Sequence, residues 1–408
     1  MLNHIFKNLG PATLITAAFI GPGTVTLCSI AGVSFGYQLL WTILVAIAAT
    51  IFLQEMVMRI GVVSQSSMGE IIRNKINPKG LKVILIFLTI SAIVMGNSVY
   101  QAGNISGAVL GLETIFSHCY LSMDSLKLNL YPLVVGIVAM ALFYVGNYRI
   151  IERVLICVVL LMSLSFMVST IVLMPPIKEL LYGLFIPQVP QGSLLTVIGL
   201  IGTTVVPYNL FLHAHLSKKK WNNPKNLTHG IWDLMISVSI GGIISLSIMI
   251  TAAGSNLTSI HDASDLAIGL EPLLGMHAKT LIGFGLFAAG LTSAMTAPLA
   301  AAFVTCNCFG WKSSLTSKPF RFVFLIVLAF GVIVSSLDFQ LIQVIKFAQV
   351  ANGVLLPIIV GMILIIINRS DLLGSYVNSR IQNLIGILIL LLTTLLSLKS
   401  ILSVFQFL

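Results

Sequence analysis

The chain has 408 residues, of which 57% are apolar and only 8% charged, with a formal net charge of +10. A soluble domain of this length carries roughly 25% charged residues, so a water-exposed globular fold is excluded and lipid is the solvent for most of the chain. The basic excess is spread over short segments without aromatic interleaving, which excludes a nucleic-acid partner and points to the headgroups of a lipid bilayer.

Crossing a hydrocarbon core takes roughly 20 apolar residues, and stretches of that kind recur from end to end. In chain order they fall at about 9–33, 37–63, 82–112, 129–147, 150–174, 192–216, 230–254, 278–309, 320–337, 340–368 and 381–405. This pattern predicts an all-α integral membrane protein of 11 transmembrane helices forming one membrane domain over 1–408. The first stretch contains Gly21-Pro22-Gly23 in place of a small-residue cleavage site, so it reads as a retained span. The five cysteines (Cys28, Cys119, Cys157, Cys306, Cys308) form no metal-ligand framework, and no metal site or cofactor is expected.

Loops on the cytoplasmic side of a membrane hold an excess of Lys and Arg. With a cytoplasmic N-terminus, 17 of the 22 basic residues fall inside, only Lys127, Lys178 and Lys279 fall outside, and Lys346 and Lys399 lie within spans. The expected location is a plasma membrane, the inner membrane in a bacterium.

Helix breakers within spans are informative, because a freed backbone group is tolerated in a membrane only where protein or an aqueous cavity satisfies it. The first span carries Gly21-Pro22-Gly23-Thr24 near its middle, and the sixth carries Thr203-Thr204-Val205-Val206-Pro207-Tyr208-Asn209. Proline lacks an N–H and clashes with the preceding turn, and glycine permits non-helical dihedrals. Both spans should therefore unwind, with the threonine hydroxyls taking up freed backbone groups. The two begin on opposite sides of the membrane, five spans apart, which is the layout of an inverted repeat. The repeats are expected at about 9–174 and 192–368, with an additional helix at about 381–405. Substrate sites in such folds sit between the broken helices.

At these residues the chain resembles the Nramp family of proton-coupled divalent-metal transporters. Further landmarks follow in the family's order: Gly10-Pro11, Phe35-Gly36-Tyr37, Leu39-Leu40-Trp41, Arg59-Ile60-Gly61-Val62-Val63, Pro207 to His213, Ala288-Ala289-Gly290, and Gln349 ahead of Pro357. The resemblance implies a LeuT-type fold of 5+5 inverted repeats plus one helix, with helices 1 and 6 broken.

The departures fall on the metal site. The family's Asp-Pro-Gly-Asn reads Gly21-Pro22-Gly23-Thr24 here, and its Met-Pro-His reads Val206-Pro207-Tyr208. Carboxylate, amide, thioether and imidazole are all missing. In helix 3 the family's acidic pair aligns with Asn97 and Tyr100. The expected substrate site is Gly21, Pro22, Gly23, Thr24, Thr203, Thr204, Val206, Pro207, Tyr208, Asn209, Gln349 and Asn352. A small-molecule or ion substrate is expected, with the proton as a candidate coupling ion through Glu55, Asn97 or His213. Glu55 also lies one helical turn before Arg59, where the two could simply pair. The cargo stays open between a weakly held Mg²⁺-like cation and a small anionic or zwitterionic solute, and a passive channel or a relative that has lost transport stands behind both. No span offers a nucleophile with a base at usable spacing, so an enzyme is not expected.

Overall fold

The computed structural model describes residues 20–116, 118–123, 126–146, 149–255 and 257–405. Its helices, in chain order, are α1 (Pro22–Phe35), α2 (Leu40–Ser64), α3 (Met68–Lys75), α4 (Lys79–Ile90), α5 (Gly96–Ile115), α6 (Tyr131–Val145), α7 (Arg149–Val172), α8 (Ile177–Phe185) and α9 (Leu194–Thr204). They continue with α10 (Pro207–Lys220), α11 (Leu227–Ala253), α12 (Ala263–Ile268), α13 (Glu271–Leu274), α14 (Ala278–Phe309), α15 (Lys318–Ser336), α16 (Leu341–Ile367), α17 (Ser370–Leu373) and α18 (Arg380–Phe405). Among the described residues, nine helical stretches are long and apolar enough to span a membrane. Two shorter apolar helices, α1 and α6, lie where the first and fourth spans were expected. The N-terminal part of the first span, with Gly10-Pro11, lies outside the described residues.

The third span is one continuous stretch, Lys79–Ile115, longer than expected. A π-helical segment, Ser91–Met95, joins α4 to α5. The polar residues that follow it on α5, Asn97, Tyr100, Gln101 and Asn104, are buried. Helix α5 then packs against α14, α15 and α16 at the centre of the molecule. Small residues allow the close approach: a Cβ on Gly290 would meet the backbone of Ala108, and one on Gly111 would meet that of Gly283 and Phe287.

Proline inside a helix frees the carbonyl four residues earlier, and two such carbonyls are repaired from neighbouring helices. Pro298 in α14 frees Ala294 O, which accepts from Gln101 Nε2 of α5 at 2.9 Å. Pro357 in α16 frees Gly353 O, which accepts from Ser397 Oγ of α18 at 3.3 Å.

Elements absent from the hydropathy pattern occur in the connections. A hairpin of β1 (Tyr120–Met123) and β2 (Leu126–Asn129), paired Tyr120 to Asn129, links α5 to α6. It shortens the fourth span, expected from residue 129, to begin at Tyr131. Helix α3 starts at a capping box in which the Ser67 N–H donates to Glu70 Oε2 at 2.6 Å and the Glu70 N–H donates to Ser67 Oγ at 3.4 Å. It is fastened to three other elements. Lys218 of α10 donates to Glu70 at 2.7 Å, Arg73 donates to Asn307 O of α14 at 3.1 Å, and Arg369 donates to Lys75 O at 2.6 Å.

Candidate functional site

The expected break in the sixth span is present, and in the first span α1 begins at Pro22, the stretch before residue 20 lying outside the described residues; one local device sets both helix starts. The residue before a proline is pushed out of the α region, and proline itself suits the first position of a helix. Gly21 is accordingly extended, at φ −101° and ψ −177°, and α1 starts at Pro22. Val206 is extended at φ −82° and ψ 121°, and α10 starts at Pro207. On the other side of the second break, α9 ends at Thr204, with Val205 at φ −95° and ψ 76°. Two helix N-termini and one C-terminus thus meet in the interior.

The threonines do something other than expected. Thr24 Oγ1 and Thr203 Oγ1 hydrogen-bond each other at 2.9 Å, joining the two broken helices directly. Thr204 Oγ1 donates to Leu200 O within its own helix at 3.0 Å. Neither Thr203 nor Thr204 takes up a carbonyl freed by the break, because each hydroxyl reaches another partner first.

Helix α16 supplies the third wall. The Gln349 side chain lies against Gly23, where any Cβ would collide with its amide. The backbone at Gln349 and Gly353 lies equally close to Gly202, so glycines at both breaks admit α16. Tyr208 meets Tyr100 of α5, with ring centroids 5.6 Å apart and planes tilted by 57°. Tyr208 and Gln349 are the polar neighbours of the Tyr100 hydroxyl. No hydrogen bond of good geometry reaches Tyr208 Oη or either end of the Gln349 amide. Asn209 Oδ1 and Nδ2 and Asn352 Nδ2 are also buried without partners. Asn209 follows Tyr208 on α10 and Asn352 lies one turn beyond Gln349 on α16, so these unpartnered polar atoms belong to the segments that meet at the second break.

Tyr100 was legible in the sequence only as an aligned position. Its signal is a polar stripe, Asn97, Tyr100, Gln101 and Asn104, on an otherwise apolar span, all of it buried. Asn97, expected on a proton route, donates its amide to Ala297 O at 2.9 Å. Glu55 accepts from Arg59 at 2.9 Å. The same guanidinium donates to Tyr376 O at 3.0 Å and to Asn378 Oδ1 at 2.8 Å, so the pair fastens α2 to the segment ahead of α18. His213 is fully buried on α10, and neither ring nitrogen has a partner. Among the described residues, no three of His, Cys, Asp and Glu converge as a metal-binding group.

The family model described as natural resistance-associated macrophage protein-like (Nramp) matches residues 12–403. The divalent metal cation transporter MntH of Klebsiella pneumoniae is 27% identical over 379 residues, covering 91% of this chain and 88% of that protein. The fold is similar to a crystal structure of the Eremococcus coleocola manganese transporter in complex with an aromatic bis-isothiourea compound. That match has a TM-score of 0.74 at 18% identity and covers 98% of this chain and 87% of the other. It is also similar to the structure of MhsT in complex with L-phenylalanine, with a TM-score of 0.62 at 16% identity over 97% and 98% of the two chains. A matched length running almost from end to end, on a LeuT-type scaffold, makes this chain a member of the Nramp family of membrane transporters.

Proposed function

We propose that the chain is a secondary-active transporter working by alternating access, whose solute binds between the breaks at Gly21-Pro22-Gly23 and Val206-Pro207-Tyr208 in a site without transition-metal ligands. One observation carries this reading. The polar side chains on the segments that meet there (Thr24, Tyr100, Thr203, Tyr208, Asn209, Gln349 and Asn352) are all buried and all uncharged. No Asp or Glu among the described residues is fully buried. Transition metals favour imidazole and thiolate or thioether ligands, and even Mg²⁺ is usually held by a carboxylate. A dehydrated divalent ion here would have no counter-charge, and a bare charge in a low-dielectric interior costs several kcal/mol even after relaxation, of the order of 20 in the idealised limit.

The relatives' cargo therefore does not transfer to this chain by likeness alone. A second reading, weak transport of a largely hydrated Mg²⁺-like cation, draws on the oxygen atoms of Thr24, Tyr208, Gln349 and Asn352. A small anionic or zwitterionic solute held by the helix N-termini is the third. The basic asymmetry supports a cytoplasmic N-terminus in a plasma membrane. If a proton is coupled to transport, Glu55 and His213 are its candidate carriers, whereas Asn97 can only orient a neighbour.

Restoring the family's ligands provides the test. The purified chain should show no calorimetric binding of micromolar Mn²⁺, whereas the combined variant Gly21→Asp, Thr24→Asn, Val206→Met and Tyr208→His should bind it. Micromolar Mn²⁺ binding by the unaltered chain would overturn this reading of the site.

A further inference from the structure

The charge and hydrogen-bond inventory of the site narrows the cargo. This inference rests on the transport site proposed above. Among the described residues no carboxylate is buried to balance a cation, and the one buried Lys or Arg, Arg59, is already engaged by Glu55, Tyr376 O and Asn378. The helix N-termini are also poor anion donors. Proline at the first position removes one N–H from each half-helix. At the third position the N–H is already spent, Thr24 N donating to Gly21 O and Asn209 N to Val206 O, both at 3.1 Å. Each half-helix is left with a single first-turn N–H, Gly23 or Tyr208, and the Gln349 amide already packs on Gly23.

The orphaned side-chain atoms are of both kinds. Asn209 Nδ2, Gln349 Nε2 and Asn352 Nδ2 can only donate, Asn209 Oδ1 and Gln349 Oε1 can only accept, and Tyr208 Oη can do either. A metal ion would use the oxygens and leave three amide N–H₂ groups buried and unpaired, at about 1–3 kcal/mol each. An uncharged solute that presents both donors and acceptors satisfies both sets. The rings of Tyr100 and Tyr208, 5.6 Å apart and tilted by 57°, make the surroundings of these atoms aromatic.

We propose that the cargo is a small uncharged planar solute of the amide or ureide class, read by Tyr208, Asn209, Gln349 and Asn352. The full chain in detergent would be heated with urea, benzamide, glycine, acetate or Mg²⁺ at millimolar concentration, and any stabilising compound would then be tested for counterflow in liposomes. Urea or benzamide should raise the melting temperature and exchange across the membrane, while glycine, acetate and Mg²⁺ should do neither. Tyr208→Phe keeps the ring and should weaken apparent affinity about tenfold, one hydrogen bond's worth. Gln349→Glu is nearly isosteric, and it should lose the neutral probe and gain a response to Mg²⁺.

Stabilisation by glycine, acetate or Mg²⁺ in place of the neutral probes, or by no probe at all, overturns the proposal. So does a neutral response that survives both substitutions. Counterflow of a charged compound would reject this solute class and leave the transport reading standing. Neutral binding without counterflow would do the reverse.

Discussion

Glu70 shows how single side chains hold the basic end of the molecule together. Burial opposes its ionisation, but hydrogen bonds from Lys218 and the Ser67 N–H outweigh burial and hold the carboxyl below its ordinary range. A group whose pKa is depressed by folding contributes stability above its unfolded value, about 4.3 for Glu, and loses that contribution as the pH falls through the lower folded value. Glu70→Gln should therefore lower the melting temperature at neutral pH, and the gap from the unaltered chain should close in strong acid. Melting curves in detergent across that range would check it, and a gap independent of pH would assign the loss to packing. At this scale the sequence was uneven in what it disclosed. Gly21-Pro22 and Val206-Pro207 were legible because a proline acts on its immediate neighbours. The Thr24–Thr203 bond and the Tyr100–Tyr208 contact were not, because which side chains meet depends on how three separate helices converge.

Among the helices, polar side chains substitute for backbone donors that proline removes. Gln101 sits where Ala294 O would otherwise be stranded by Pro298, and Ser397 does the same for Gly353 O below Pro357. Replacing Gln101 by Leu leaves that carbonyl buried and unpaired, at a cost of about 1–3 kcal/mol. In a Pro298→Ala background the helix can supply its own N–H, so the same substitution should cost less. A double-mutant cycle read from unfolding in mild detergent would measure the coupling. Purely additive losses would show that Gln101 does not serve the proline. The spans that lie within the described residues were legible from hydropathy to within a few residues. The β1–β2 hairpin and the short helix α8 were not, since lipid does not dictate the structure of connections outside the hydrocarbon core.

For the whole molecule, the fold and the chemistry of its site point in different directions. The scaffold belongs to a family whose relatives include divalent metal cation transporters, and we propose that solute binds between its segments at Gly21-Pro22 and Val206-Pro207. Yet the polar side chains on these segments are uncharged, and no Asp or Glu among the described residues is buried. The close packing of α5 with α14 and α16 that builds the scaffold is present among the described residues. We propose that metal selectivity depends on a few ligands, which this chain lacks. The most direct measurement is uptake of micromolar Mn²⁺ by liposomes containing the purified chain, compared with protein-free liposomes and with liposomes carrying a manganese-transporting relative. The account predicts uptake by the relative alone, and saturable Mn²⁺ uptake by this chain would contradict it.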